Sequence, residues 1–138
     1  MDWGQVAATA TALLTPLLPY LVKAGEKAAE EAGKKFGAAA WEKAEALYKA
    51  IREKFAGDAY AEETLKRAAE KPDSEGRRAA LAEVLTEKAK SDSRFGQQLA
   101  RLTQVAVQEQ GIVNFLTQVY GGEVGKIVNI GWAQEVKF

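Results

Sequence analysis

Gly121-Gly122-Glu123-Val124-Gly125-Lys126-Ile127-Val128-Asn129-Ile130-Gly131 is where a chain that otherwise reads as helix stops doing so. On a strand, Val124, Lys126, Val128, Ile130 and Trp132 fall on one face, and Gly125, Ile127, Asn129 and Gly131 on the other. The run Ile127 to Ala133 carries no charge and no proline. It is rich in β-branched residues and holds an Asn able to ladder with copies of itself, the signature of a strand that stacks on identical strands from other chains. Lys126 and Glu135 flank it as gatekeeper charges do. No partner strand is evident elsewhere in the chain, so the segment has no internal ladder for its backbone groups. Two readings follow: an ordinary flexible, solvated C-terminal tail, or a segment that pairs with other molecules.

Within this stretch, Val128-Asn129-Ile130-Gly131 resembles the RHIM amyloid core: Val or Ile, Gln, an aliphatic residue, then Gly. Asn129 stands where the eukaryotic pattern has Gln, and both are carboxamides. Gly121, Gly122 and Gly125 look like the upstream glycines of the RHIM-like bacterial amyloid signalling sequences. The resemblance assigns the amyloid core to Gly125, Ile127, Val128, Asn129, Ile130 and Gly131. A motif of this kind behind a small helical domain is similar to the layout of bacterial Bell domains, relatives of the fungal HeLo-like cell-death domains. Ile112-Val113-Asn114-Phe115 is also echoed by Ile127-Val128-Asn129-Ile130 across Gly121-Gly122. The echo reads either as two strand arms of one fibril layer or as chance.

The chain has 138 residues, one domain's worth, and its helical part is long enough to bury a core without staples. It contains no cysteine and no histidine, which removes disulfides, thiolate metal sites and the commonest general base. Its net charge is zero, which argues against a nucleic-acid partner. Charge is unevenly spread. Residues 1–22 carry only Asp2, residues 23–110 carry 17 Lys+Arg and 16 Asp+Glu, and residues 111–138 carry Glu123, Lys126, Glu135 and Lys137.

From Trp3 to Val22 there are twenty residues without a charge. Asp2 in place of a basic start argues against a signal peptide. The length suits a membrane span, but Pro16 and Pro19 interrupt it, and Gln5, Thr9, Thr11 and Thr15 dilute it. Thr15-Pro16 reads as a helix restart, with Thr15 as N-cap and Pro16 at the first helical position. Leu14, Leu17, Leu18, Leu21 and Val22 recur at helical spacing and form a core face. A helix apolar on most of its surface exchanges a protein core for a bilayer at small net cost. In the family resembled here, the N-terminal helix is the element implicated in attacking membranes. That implication places the membrane-targeting role on Val6, Leu13, Leu14, Leu17, Leu18 and Leu21.

The middle reads as short amphipathic helices. Helix continues from Pro19 or Tyr20 to about Gly33, with a break expected near Gly33–Gly37. Trp41, Ala44, Tyr48, Ile51 and Phe55 mark the clearest helix, expected to be central. Gly57 stops it and Asp58 caps the next, about Ala59 to Glu70, which Pro72 ends. Asp73 or Ser74 starts another, with Leu81, Val84, Leu85 and Ala89 inward. Ser91 or Asp92 caps the last, whose stripe is Phe95, Leu99, Leu102, Val105 and Ala106. The Trp and Tyr residues read as core. Gly122-Glu123-Val124-Gly125-Lys126 fails as a phosphate loop, because Tyr120 stands where a Gly is required and Ile127 where a Ser or Thr is.

The expected fold is all-α: a compact bundle of four or five helices over 1–107, then a disordered, amyloid-competent tail over 108–138. No enzyme activity, metal or cofactor is expected. The resemblance implies an amyloid-controlled, membrane-permeabilising effector of programmed cell death in bacterial antiviral defence. Such a protein rests in the cytoplasm. A prion-like, cross-β template on an NLR-like receptor (a nucleotide-binding, oligomerising receptor) assembles it into a homo-oligomer or fibril. It then acts at the cell membrane. Two alternatives remain at this level. One is a non-lytic helical adaptor that joins an assembly through its tail. The other is a helical pore former unrelated to amyloids.

Overall fold

The computed structural model describes residues 2–123, and the expected amyloid core at Gly125–Gly131 lies outside them. Among the described residues the fold is all-helical, with no strand. Helix α1 (Trp3–Leu14) runs through a 3-10 turn at Thr15–Leu17 into α2 (Leu18–Lys23). Then follow α3 (Glu26–Phe36), α4 (Ala38–Phe55), α5 (Ala59–Glu70), α6 (Glu75–Ser91), α7 (Ser93–Val107) and α8 (Gln110–Tyr120), with a 3-10 turn at Gly121–Glu123. Eight α-helical segments thus replace the expected four or five. Part of the difference is the backbone break at Ala24–Gly25, which divides the helix expected from Pro19 or Tyr20 to Gly33, whereas the break at Gly37 falls where one is expected. The rest is α8, which adds a helix beyond the expected boundary at residue 107.

The caps follow the sequence closely. Asp58, Ser74 and Asp92 each accept a hydrogen bond from a backbone N–H in the first turn of α5, α6 and α7. Gly57, at φ +87°, ends α4 in a conformation that glycine adopts freely. Two of the caps also tie helices together. Lys88 of α6 donates to Asp58 at 2.5 Å, and Lys54 of α4 donates to Asp92 at 2.6 Å. One aspartate therefore both starts a helix and fixes a neighbour's position on it.

The centre of the molecule is α1, and not α4 as the spacing of its aromatic residues suggests. Seven consecutive residues, Thr9 to Thr15, are buried. At 100° per residue a run of that length covers every face of a helix. The run is alanine, threonine and leucine, small enough for α4, α6 and α7 to close around it. Helix α4 keeps Ala40, Ala44, Leu47, Ile51 and Phe55 inside, while Trp41 and Tyr48 are only half-buried and Glu42, Glu45 and Lys49 face water. Three other apolar positions lie outside the expected pattern: Val22, expected on the core face of the head, is 55% exposed, Tyr60 72% and Val105 48%.

Helix α8 is also part of the body. Ile112, Phe115 and Leu116 are buried in the common core, so the segment that one of the two readings made a first strand arm is helical here. Its apolar residues recur at i, i+3 and i+4 as well as in alternation, and packing against α4 and α7 decides between the two periods.

The lysine partners and the capping N–H groups hold the carboxyls of Asp58 and Asp92 below the usual aspartate range. A lowered folded-state pKa contributes stability above the ordinary value of 3.8 that is lost as pH falls through the folded value. The Asp58→Asn/Asp92→Asn protein should therefore be less stable than the parent at neutral pH. Its stability should fall less steeply between about pH 4 and pH 2. Urea unfolding across that range checks both points, and parallel curves would remove the claimed ion pairs.

Candidate functional site

The six residues assigned to membrane attack all lie inside the protein. Val6, Leu13, Leu14, Leu17 and Leu18 are 0% exposed and Leu21 is 6% exposed. Burying a side chain of this size is worth about 1.5–3 kcal/mol, so moving all six into water costs on the order of 10 kcal/mol. That equals the whole stability of an ordinary domain. The α1–α2 head therefore does not open into water. Its 21 residues, Trp3–Lys23, are nevertheless long and apolar enough to cross a membrane, a test that the core helix of a soluble protein also passes.

At its start, the head is set by a close contact. The Trp3 indole lies on Gly96 of α7, where an added Cβ would come within 2.8 Å of two ring carbons. Only glycine permits this approach. The far end of the head is strained. Ala24 has φ +59° and ψ +173°, a region that side chains other than glycine's rarely enter, and Gly25 follows at φ +91°. The expected single helix from Pro19 or Tyr20 to Gly33 is broken there.

The middle of the head is where the prolines act. The expected restart with Thr15 as N-cap does not occur, because backbone from Leu14 to Leu18 stays in the right-handed helical region. Thr15 N–H still reaches the Thr11 carbonyl, so the ladder is intact up to that point. The next bond would run from residue 16 to the Ala12 carbonyl, and Pro16 has no N–H to make it. Pro19 likewise leaves the Thr15 carbonyl without its α-helical donor, but Leu18 N–H supplies a 3-10 bond to it. Pro16 thus leaves Ala12 without its α-helical donor. Its carbonyl instead accepts from the Tyr120 hydroxyl, 108 positions away. Tyr120 Oη also lies 3.4 Å from Thr15 Oγ1. With its own proton committed to Ala12, the phenol oxygen is placed to accept from the threonine.

Burial pushes the Tyr120 hydroxyl above its ordinary value of 10.0, outweighing the downward pulls of the Thr15 hydrogen bond and of Arg78. The Arg78 guanidinium carbon sits 5.4 Å from the ring centroid. Tyr120 therefore keeps its proton, and its donor role, across the neutral range. Helix α8 reaches the head by a second route. Phe115 meets Phe36 edge-on with ring centroids 5.5 Å apart, and Phe36 meets Tyr20 of α2 at 6.1 Å. One polar atom of the head stays unsatisfied: the buried Thr11 hydroxyl has no hydrogen-bond partner among the described residues.

Elsewhere the surface carries little chemistry. A groove of about 660 Å³ lies beside the end of α2, with Val22, Tyr48, Phe55 and Leu65 among its lining residues. Lys23, Arg52, Lys66, Glu62 and Glu70 rim it, so it selects no sign of charge. No cluster of acidic residues able to hold a metal ion occurs among the described residues.

Sequence reasoning missed Tyr120. A signal existed, since a proline inside a buried helix leaves a carbonyl that needs a donor. The donor's identity was not legible, because it stands at the other end of the chain. Comparison with known protein families, with characterised proteins and with solved structures finds no match.

Gly96→Ala should displace the Trp3 ring and destabilise the protein by about 1–3 kcal/mol, as overpacking of a closed contact does. Denaturant unfolding gives the loss, and, with Trp41 and Trp132 replaced by phenylalanine, a red shift of tryptophan emission before unfolding would place it at Trp3. An unchanged midpoint would mean that Trp3 does not anchor the head.

Proposed function

We propose that this protein is an amyloid-controlled, membrane-permeabilising effector of cell death, similar in kind to the bacterial Bell-type proteins. The observation that carries this reading is the head: an uncharged helix of membrane length held as the innermost element of a small bundle. A core needs apolar residues, but it does not need them gathered into one segment long enough to span a bilayer. The tail supplies the trigger. Gly125, Ile127, Val128, Asn129, Ile130 and Gly131 pair edge-to-edge with a matching motif on an NLR-like receptor and then with copies of this chain. Clustering raises the local concentration of bundles. A bilayer then takes the place of the protein core around Val6, Leu13, Leu14, Leu17, Leu18 and Leu21, one apolar surroundings for another. The protein is cytoplasmic at rest and acts at the cell membrane once assembled. No cofactor, metal or nucleic acid enters this scheme.

The non-lytic adaptor is the second reading, and the depth of the head favours it. Fully buried leucines are what a purely structural core helix also has. The same burial changes the experiment that separates the two. A charge at Leu17 would unfold the bundle, so substitutions belong in the tail.

Full-length protein mixed with dye-filled vesicles containing anionic lipid should stay silent until seeded with fibrils of the 109–138 peptide. It should then release dye. The fibrils should show the cross-β spacing near ~4.7 Å. Gly131→Pro should abolish fibrils and leakage together. Fibrils with intact vesicles would leave the adaptor, and leakage that survives removal of residues 124–138 would remove the amyloid trigger.

A further inference from the structure

We propose that Tyr120 is a latch that holds the head helix shut, and that drawing α8 away from the body opens it. The proposal rests on the functional reading above, in which the head is the membrane-active element and assembly begins beyond Glu123. Its physical content does not depend on that reading and is tested separately.

The latch is built from a defect. Pro16 strips the carbonyl of the buried Ala12 of its helical donor in the middle of the innermost helix, while Pro16 and Tyr120 themselves line a groove with Lys35, Asp73, Glu75 and Arg78. The Tyr120 hydroxyl donates to that carbonyl, and it adds a contact to Thr15 one turn further on. An unpaired carbonyl in such a place is destabilising at the site where it sits. Removing Tyr120 therefore loosens the head, and not merely the helix that carries the tyrosine.

Its position suits it to respond to the tail. Tyr120 is the last residue of α8, and the backbone turns at Gly121, φ +58°, immediately after it. A helix frays from its ends, where its last carbonyls lack partners. Any pull transmitted through residues 121–123 thus acts on Tyr120 before it acts on Phe115 or Ile112. The repeated pattern gives such a pull a product. Ile112-Val113-Asn114-Phe115 matches Ile127-Val128-Asn129-Ile130, but in the resting fold the first copy is helical and packed. Joining a cross-β layer as a second arm requires α8 to unwind, and unwinding carries away Tyr120 and the Phe115 contact to Phe36. Helix α8 is then a two-state element: clamp at rest, strand arm when assembled. Pairing of its strand form stabilises only the open state, and this differential affinity is what a switch requires.

Hydrogen exchange on the intact chain tests the latch without any membrane. Four proteins are compared: the parent, Tyr120→Phe, Pro16→Ala, and the double variant. Tyr120→Phe keeps the ring beside Arg78 and removes only the hydroxyl. Pro16→Ala restores the N–H that the Ala12 carbonyl lacks. Tyr120→Phe should speed exchange of the amides between residues 13 and 23 by about tenfold, the loss of one buried hydrogen bond. In the Pro16→Ala background the same change should have less than about a twofold effect, because the carbonyl no longer needs the phenol. If Tyr120→Phe alone fails to fold, folding of the double variant makes the same case by circular dichroism. No acceleration, equal acceleration in both backgrounds, or loss of folding in both would overturn the latch. A second arm adds Tyr120→Phe, unseeded, to vesicles of phosphatidylethanolamine and phosphatidylglycerol. Leakage at concentrations where the parent is silent supports the latch as the control of membrane action. Faster exchange with intact vesicles supports the latch and counts against the membrane reading.

Discussion

An uncharged helix twenty residues long can be kept from water only by surrounding it, and the rest of this molecule is arranged to do so. Helices α4, α6 and α7 close on α1, and α2 is covered by α3 and α5. The small side chains of α1 make this possible, because alanine and threonine let neighbouring helices approach on every side. Charge is then confined to the outer faces, where exposed pairs such as Lys34–Glu30 contribute little to stability and much to solubility. The aspartate caps at Asp58 and Asp92 do more. Each fixes where a helix begins and which neighbour's lysine it meets, so the shell around the head has defined seams.

The head itself is less well finished than its shell. Two prolines interrupt its ladder, the Thr11 hydroxyl is buried without a partner among the described residues, and Ala24 sits in a conformation that costs about 1–3 kcal/mol. A helix selected only to stabilise a core has no use for any of these. The proposed function gives them a use, as points where the head can rearrange, while its six large apolar residues keep it out of water at rest.

Much of this is legible in the sequence, and the failures share a cause. Asp58, Ser74 and Asp92 as caps, Gly57 and Gly37 as breaks, and the inward set Leu81, Val84, Leu85 and Ala89 all follow from local chemistry. The misplaced features depend on the rest of the molecule. Helix α4 reads as central because its large residues are conspicuous, whereas α1 is central because its small ones admit neighbours. Ile112–Phe115 satisfies both strand alternation and helical spacing, and only the core it meets selects the helix. Thr15 resembles a cap, but a cap needs a chain that leaves the helix, and packing keeps this one helical through Leu18. The six head residues are readable as apolar and helical. Leu14, Leu17, Leu18 and Leu21 are also readable as a core face, but the enclosure of the helix on every side is not, nor is the distant tyrosine that donates to Ala12.

The proposed function turns on where the head goes when tail fibrils are added. Trp3 reports on this directly, since it marks the start of α1 and rests on Gly96. With Trp41 and Trp132 replaced by phenylalanine, the fluorescence of Trp3 can be followed in vesicles made with bromine-labelled lipid chains. Trp3 should be unquenched in the resting protein and become quenched as tail fibrils seed assembly. Fibrils, or leakage, with Trp3 still shielded from the lipid would contradict insertion of the head.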